Sequence, residues 1–172
     1  MIRPSLCLLL LATAAAAGAA EKPVSTSIVN SSGKLIGTAT FIEKKGGVEV
    51  TVKVSGLPTG KHGIHIHENG KCDAPGFSTA GSHFNPAGKR HGASNPEGKH
   101  AGDLPNLEVK ADGTGKLTAI AEGATLAPGN ASLLRQGGTA LLIHAQPDDE
   151  ESDPAGKAGD RIACGVIGAK SK

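Results

Sequence analysis

The sequence of 172 residues contains no tryptophan and no tyrosine, and its three phenylalanines are Phe41, Phe77 and Phe84. The core must therefore be built mainly from valine, isoleucine, leucine and alanine. Few aromatic side chains and a formal net charge of +2 argue against a nucleic-acid-binding protein, which normally carries a basic surface and stacking platforms. No apolar run approaches the ~20 residues of a membrane-spanning helix, so we expect no membrane segment in the mature chain.

The N-terminal residues have the layout of a secretory signal peptide. Residues 1–20 combine one arginine, an apolar run at 6–11 and an alanine-rich end. We predict cleavage near residues 19 and 20, which leaves 21–172 as one exported domain of a size that buries its own core. We expect a periplasmic location, with the extracellular space as the alternative.

Cysteine is scarce as well. Cys7 lies within the predicted signal peptide, so the exported chain keeps only Cys72 and Cys164. Two free buried thiols are one possibility, but disulfides persist outside the cytoplasm, and we favour a bridge. Such a bridge would anchor a segment rich in glycine and proline to the last predicted strand.

Most of the remaining chain consists of short, β-branched segments separated by turns. These segments predict strands at 26–30, 35–43, 48–55, 107–111, 116–122, 139–145 and 161–168. Residues 119–126 contain enough alanine for a helix, but the preceding turn 112–115 and the following Pro128-Gly129 favour a strand. With one more strand around residues 65–67, we predict an all-β fold, an eight-stranded antiparallel Greek-key β-sandwich or barrel with two long functional loops.

Histidine is concentrated in one part of the chain. Six of the seven histidines lie within residues 60–103, and only His144 lies outside this range. His65 and His67 are two residues apart, so in a strand they share one face and both reach a single ion. A second series runs through a segment whose composition favours loops: His83, His91, His100 and Asp103. A purification tag would have consecutive histidines, so this spacing predicts a metal site.

Five segments occur in one order along the chain. They are 62–68 (HGIHIHE), 81–86 (GSHFNP), 100–104 (HAGDL), His144 followed by 147–149 (PDD), and 161–168 (RIACGVIG). Together they resemble copper,zinc superoxide dismutase over essentially the whole predicted mature chain. The resemblance implies dismutation of superoxide to dioxygen and hydrogen peroxide, by alternating reduction and oxidation of a histidine-bound copper.

The resemblance also implies one copper and one zinc per subunit. Copper would be bound by His65, His67, His83 and His144, and zinc by His83, His91, His100 and Asp103. His83 would bridge the two ions, release copper on reduction and carry a proton. Imidazoles suit copper, which changes valence readily, whereas three imidazoles and a carboxylate suit a closed zinc site.

Further roles follow from the same resemblance. Arg161 would bind the superoxide anion, and Asp148 would accept hydrogen bonds from one copper ligand and one zinc ligand. His62 would support the backbone. The loop before Arg161 is shorter than in the eukaryotic enzymes and lacks their steering lysine, for which Lys157 is a candidate substitute. The acidic run at 148–153 would repel an anion unless its charges are paired or turned away.

Two alternatives use the same residues differently. Asp148 and its acidic neighbours are also consistent with a solvated turn. The whole chain is also consistent with a metal carrier without turnover, or with a secreted recognition domain whose histidines do not converge. The sequence leaves the oligomeric state open, and a homodimer is one possibility.

Overall fold

The computed structural model describes residues 22–168, so the predicted signal peptide lies outside the described part. The described residues form nine strands: β1 (Val24–Asn30), β2 (Leu35–Lys44), β3 (Gly47–Val54), β4 (Gly60–His62), β5 (Ile64–His67), β6 (Leu107–Val109), β7 (Gly115–Glu122), β8 (Thr139–His144) and β9 (Arg161–Ile167). Within residues 22–168 the helical structure is a single 3-10 turn, Ser78–Ala80. No helix in this part of the chain has the length and apolarity needed to cross a membrane.

The strands form one antiparallel sheet that curls into a nearly closed barrel, which confirms the predicted fold class. Their order is β4-β6-β7-β3-β2-β1-β9-β8-β5. The two ends of this order, β4 and β5, are separated in the chain by Gly63 alone. The predicted single strand around residue 65 is therefore divided in two, which gives nine strands instead of eight. The division arises because β4 pairs with β6, whereas β5 pairs with β8.

The predicted strand positions are correct to within two residues at each end. The hairpin between β2 and β3 pairs Lys44 with Gly47, and the one between β6 and β7 pairs Val109 with Gly115. The alanine-rich segment forms strand β7 as far as Glu122 and then turns. Pairing of β7 with β3 along its whole length therefore overrides its helix propensity.

The two faces of β5 and β8 have different surroundings. Ile64, Ile66, Leu141 and Ile143 point into the barrel and belong to the main apolar core. Burying an aliphatic side chain of this size contributes about 1.5 to 3 kcal/mol. The alternating residues therefore lie on the outer face: His65, His67, Ala140, Leu142 and His144. These outer residues are also buried, because loops cover this face of the barrel.

Three long connections follow the strands, one more than predicted: 68–106, 123–138 and 145–160. The first is tied to β9 by the disulfide Cys72–Cys164, which confirms the predicted bridge. Cys164 lies opposite Leu142 in the sheet, on the same outer face as the β5 histidines. A small apolar cluster that includes Phe77 and Ala80 packs around it.

Candidate metal centre

The loop 68–106 folds back along the free edge of β5. The backbone N–H of Phe84 donates to Ile66 O, and the N–H of Ile66 donates to Gly102 O, both at 2.8 Å. Any side chain at Gly102 would collide with the carbonyl oxygen of Ile66, so the close approach requires glycine. These contacts place His83 opposite His67 and Asp103 opposite His65. Residues that are distant in sequence thus meet the His-x-His pair.

The structure brings together all four predicted copper ligands. His65, His67, His83 and His144 are buried, and one nitrogen from each lies within 4.8 Å of the others. Four ring nitrogens in this group have no hydrogen-bond partner, namely Nδ1 of His65 and Nε2 of His67, His83 and His144. Buried polar atoms are almost always paired. A cluster of unpaired imidazole nitrogens is therefore the arrangement expected where a cation binds.

The opposite nitrogens of three of these rings are held by hydrogen bonds. His65 Nε2 donates to Asp148 Oδ2 at 2.7 Å, His67 Nδ1 to Gly81 O at 2.9 Å, and His144 Nδ1 to Gly159 O at 3.1 Å. Each hydrogen bond fixes the ring orientation and the position of its proton. The free nitrogen is left as a lone-pair donor.

The predicted zinc ligands form a second set around one carboxylate oxygen. Asp103 Oδ1 lies 2.8 Å from His83 Nδ1 and 3.2 Å from Nδ1 of both His91 and His100. Asp103 Oδ2 accepts the backbone N–H groups of Gly92 and His100, each at 3.0 Å. His83 belongs to both sets, with Nδ1 directed at Asp103 and Nε2 left for the first set.

Burial is the largest influence on the pKa values of three histidines in the predicted copper-ligand set. It lowers the pKa of His65 to about 3, of His67 to about 2 and of His144 to about 4, so these imidazoles are neutral. Burial also acts on His91, but hydrogen bonds and charge from Asp103 and Asp148 outweigh it and raise its pKa to about 10. Neutral imidazole is the form that binds a metal ion. These three members of the predicted copper-ligand set can therefore bind an ion without first losing a proton.

Asp148 lies between the two sets. Its Oδ2 accepts from His65 Nε2 at 2.7 Å and its Oδ1 from His91 Nε2 at 3.0 Å. Although burial favours the protonated acid, these histidines hold the pKa of Asp148 below its ordinary value. The backbone of Asp148 exchanges two hydrogen bonds with the side chain of Asn106, at 2.8 and 2.9 Å. No local signal in the sequence singled out Asn106.

Arg161 and His62 lie beside the sets without joining them. The half-buried guanidinium of Arg161 donates to Phe77 O at 2.9 Å and to Gly81 O at 2.7 Å. Gly81 O also accepts from His67, so one carbonyl positions both side chains. The ring nitrogens of His62 lie 2.8 Å from His144 O and 2.9 Å from Pro58 O. His62 therefore connects backbone segments, as predicted.

Two carboxylates of the acidic run in the loop 145–160, Asp149 and Asp153, are paired with neighbouring side chains. Asp149 lies 3.2 Å from Lys157 Nζ and accepts from the Ser152 hydroxyl, and Asp153 accepts from Arg90 at 2.8 Å. Lys157 itself is 80% exposed in its side chain. The candidate steering residue thus carries a charge that is already balanced by a neighbour.

A cleft of about 340 Å³ reaches the metal-ligand sets from solvent. Its lining includes His83 and His100, which at 6% and 7% exposure are the most exposed of the seven set members. Arg135, from the loop 123–138, lines the same cleft, and no carboxylate in residues 22–168 lies within ion-pairing distance of it. No pattern in the sequence indicated that Arg135 lies near the histidines.

The chain matches one family model and is similar to several known proteins. The family model "Copper/zinc superoxide dismutase (SODC)" matches residues 35–167. A "Superoxide dismutase [Cu-Zn] 2" of Aquifex aeolicus is 49% identical over 142 residues, which cover 81% of this chain and 83% of the relative. A crystal structure of a superoxide dismutase-like protein from Bacillus subtilis superimposes with a TM-score of 0.80 at 39% identity, covering 83% and 97% of the two chains. The Cu/Zn superoxide dismutase from Brucella abortus gives a TM-score of 0.67 at 31% identity, with 85% and 99% covered.

Proposed function

This chain belongs to the copper/zinc superoxide dismutase family, and from that premise we propose that it dismutes superoxide at a paired copper and zinc centre. The observation that carries the proposal is the membership of His83 in both ligand sets. Copper would bind to His65, His67, His83 and His144, and zinc to His83, His91, His100 and Asp103. One subunit would hold one ion of each kind.

The donor types fit these two metals. Four imidazoles suit copper, and three imidazoles with one carboxylate suit tetrahedral zinc. In the described chain, every buried side-chain nitrogen or oxygen that lacks a hydrogen-bond partner belongs to a histidine of the two sets. Among residues 22–168, buried side-chain polar atoms are thus left without a hydrogen-bond partner only where the proposal places an ion.

When bound, copper supplies one-electron chemistry, in which one superoxide loses its electron and leaves as dioxygen, and a second gains that electron and two protons and leaves as hydrogen peroxide. Zinc has no redox chemistry and would fix the geometry of the shared ring. The remaining tasks fall to the side chains around the centre, which must attract the anion, orient it and deliver protons.

His83 would deliver one of these protons. A ring that binds two cations has lost both of its protons, and two dications favour that state. Nδ1 of His83 is directed at Asp103, on the side where zinc would be held, and Nε2, which has no hydrogen-bond partner, is the atom that would hold the proton. The proton held at Nε2 would then pass to the departing product.

Arg161 would bind the superoxide anion. Its guanidinium is fixed by the carbonyl groups of Phe77 and Gly81, and no carboxylate of the described chain pairs with it. Burial lowers its pKa, but a guanidinium stays charged throughout the physiological range. The N–H groups that the carbonyls do not use remain for the substrate.

The proposal includes export. The disulfide Cys72–Cys164 suits an oxidising compartment, and residues 1–20 have the layout predicted for a secretory signal peptide. We therefore infer a periplasmic protein, with secretion to the exterior as the alternative.

The experiment that tests the function is a superoxide-removal assay on the protein loaded with copper and zinc. The metal-free protein and His144→Ala loaded in the same way are the controls. We expect activity in the wild type, and in His144→Ala a loss of copper and activity with zinc retained. Full occupancy of both sites without activity would instead identify a metal carrier.

A further inference from the structure

Two segments without regular strands meet beside the zinc-ligand set. One is the loop 68–106, which carries His91, and the other is the loop 145–160. Their backbones touch at Gly92 and Glu150, where a side chain at position 92 would collide with the carbonyl oxygen of Glu150. Ser94 N also donates to Glu150 O at 3.0 Å. The position of His91 therefore depends on how the second loop is packed.

Asp153 makes the shortest of these contacts between the loops. Its Oδ1 accepts the backbone N–H of His91 at 2.6 Å, and its Oδ2 accepts from Arg90 Nη1 at 2.8 Å. The two residues that it binds are consecutive, and they lie 62 and 63 positions earlier in the chain. Arg90 also lies 3.4 Å from Glu97 of its own loop. One carboxylate thus links the second loop to the backbone of a predicted zinc ligand.

The other ligands of the zinc set do not share this dependence. His100 N donates to Asp103 Oδ2 within the same loop, and His83 is paired with β5 through the bridge to His67. The ring of His91, in contrast, donates to Asp148 of the second loop, and its backbone donates to Asp153 of that loop. His91 is therefore the ligand that the second loop positions.

We propose that Asp153 is a positioning residue for zinc: it clamps the backbone of His91 so that the ring reaches Asp103 and His83 in the correct geometry. This inference rests on the proposed zinc site. It adds a role for Asp153, which in the sequence is one member of an acidic run. The clamp has two parts, a hydrogen bond to the backbone and an exposed ion pair.

The two parts are expected to differ in strength. The Arg90 side chain is 62% exposed, and such surface ion pairs contribute little. A carboxylate that accepts a backbone N–H forms a charge-assisted hydrogen bond, which is stronger. Asp153→Ala should therefore have the large effect. Arg90→Ala leaves the carboxylate beside His91 N and should have a small effect. Asp153→Asn keeps an oxygen there without the charge, so its effect should lie between those of Arg90→Ala and Asp153→Ala.

The experiment uses the protein loaded with copper and zinc and measures the rate at which a chelator removes zinc. Loss of an outer hydrogen bond typically weakens metal binding by about 10- to 100-fold, so we expect Asp153→Ala to release zinc at least about tenfold faster. The matched control is Asp149→Ala, which removes the same charge from the same loop but has its partners within that loop. It should release zinc at nearly the wild-type rate.

Two further measurements identify the clamp itself. Cobalt(II) placed in the zinc site should show a changed visible spectrum in Asp153→Ala and an unchanged one in Arg90→Ala. Hydrogen exchange of the His91 amide in the wild type should be slow, and this requires no variant to fold. Equal zinc release in Asp153→Ala and wild type, an equal effect of Asp149→Ala, or rapid exchange at His91 would overturn the proposal. A wild type that binds no zinc would instead refute the proposed metal site.

Discussion

Asp148 Oδ2 accepts a hydrogen bond from His65 Nε2 at 2.7 Å, and both side chains are almost completely buried. The same carboxylate accepts from His91 through its other oxygen. One side chain therefore orients a ring of the copper set and a ring of the zinc set. Asn106 in turn holds the backbone of Asp148 in place.

We expect Asp148→Ala to weaken binding of both metals. Loss of such a contact typically costs about 10- to 100-fold in affinity, and here two rings lose their orientation together. Metal content after dialysis against a graded series of chelator concentrations measures the effect for copper and zinc separately. A loss confined to one metal would show that Asp148 orients only one of the two rings.

Arg161→Ala should lower the rate of superoxide removal without lowering metal content. A hydrogen bond to a charged group contributes about 1.5 to 3 kcal/mol, which corresponds to a rate loss of about 10- to 100-fold. Arg161→Lys keeps the charge but not the planar fork, so it should recover part of the rate. If both variants keep the wild-type rate at full copper occupancy, Arg161 does not bind the substrate.

Lys157→Ala tests the steering role that the sequence suggested. Removing this charge leaves Asp149 unbalanced, so we expect roughly a twofold lower rate at low ionic strength, and no difference in ~1 M salt, where the Debye length is about 3 Å. Lys53→Ala removes an equal charge from β3, far from β5 in the strand order, and is the matched control. Identical salt dependence in wild type and Lys157→Ala would rule out steering by this lysine.

Arg135 lies in the cleft beside His83. At low ionic strength, Arg135→Ala should therefore lower the rate of superoxide removal at least as much as Lys157→Ala does.

The metal-free protein should lose stability in mild acid. Burial lowers the pKa values of His65, His67 and His144 to about 3, 2 and 4 in the folded chain, against 6.5 in the unfolded chain. Between pH 6.5 and 4 the unfolded chain therefore binds more protons than the folded chain. Each of these histidines then lowers the free energy of unfolding by about 1.4 kcal/mol for each pH unit of acidification. Above pH 6.5 all three are neutral in both states, so the loss occurs only below that value.

His91 should make the metal-free protein less stable as the pH rises, whereas the three neutral histidines make it less stable as the pH falls. Its pKa is raised to about 10, so its stabilisation is complete below pH 6.5 and is lost as the pH rises through 10. Denaturant titrations of the chelator-treated protein across this range should therefore show greatest stability near neutral pH. A flat profile between pH 4 and 6.5 would contradict the buried, neutral state of the copper-set histidines.

The strands were predictable because their apolar residues alternate or run continuously against one core. β2, β3 and β7 are examples, with their positions correct to within two residues. The division at Gly63 was not predictable, because both halves are extended and only their pairing partners differ. The disulfide was predictable because removal of the predicted signal peptide would leave just two cysteines.

The candidate metal ligands were predictable from the sequence, but the residues that position them were not. Histidine spacing and family resemblance grouped the residues that the structure brings together. Asn106 and Asp153 carry no such signal, because their contacts with Asp148 and His91 span 42 and 62 residues. These contacts depend on how two irregular loops pack, which no local pattern encodes.

The most direct test of the shared position of His83 is a crystal structure of the protein grown with copper and zinc, with anomalous diffraction recorded at both absorption edges. We expect a copper peak bonded to His83 Nε2 and a zinc peak bonded to His83 Nδ1. Peaks that bind His83 through one nitrogen only, or that lie away from His83 altogether, would contradict it.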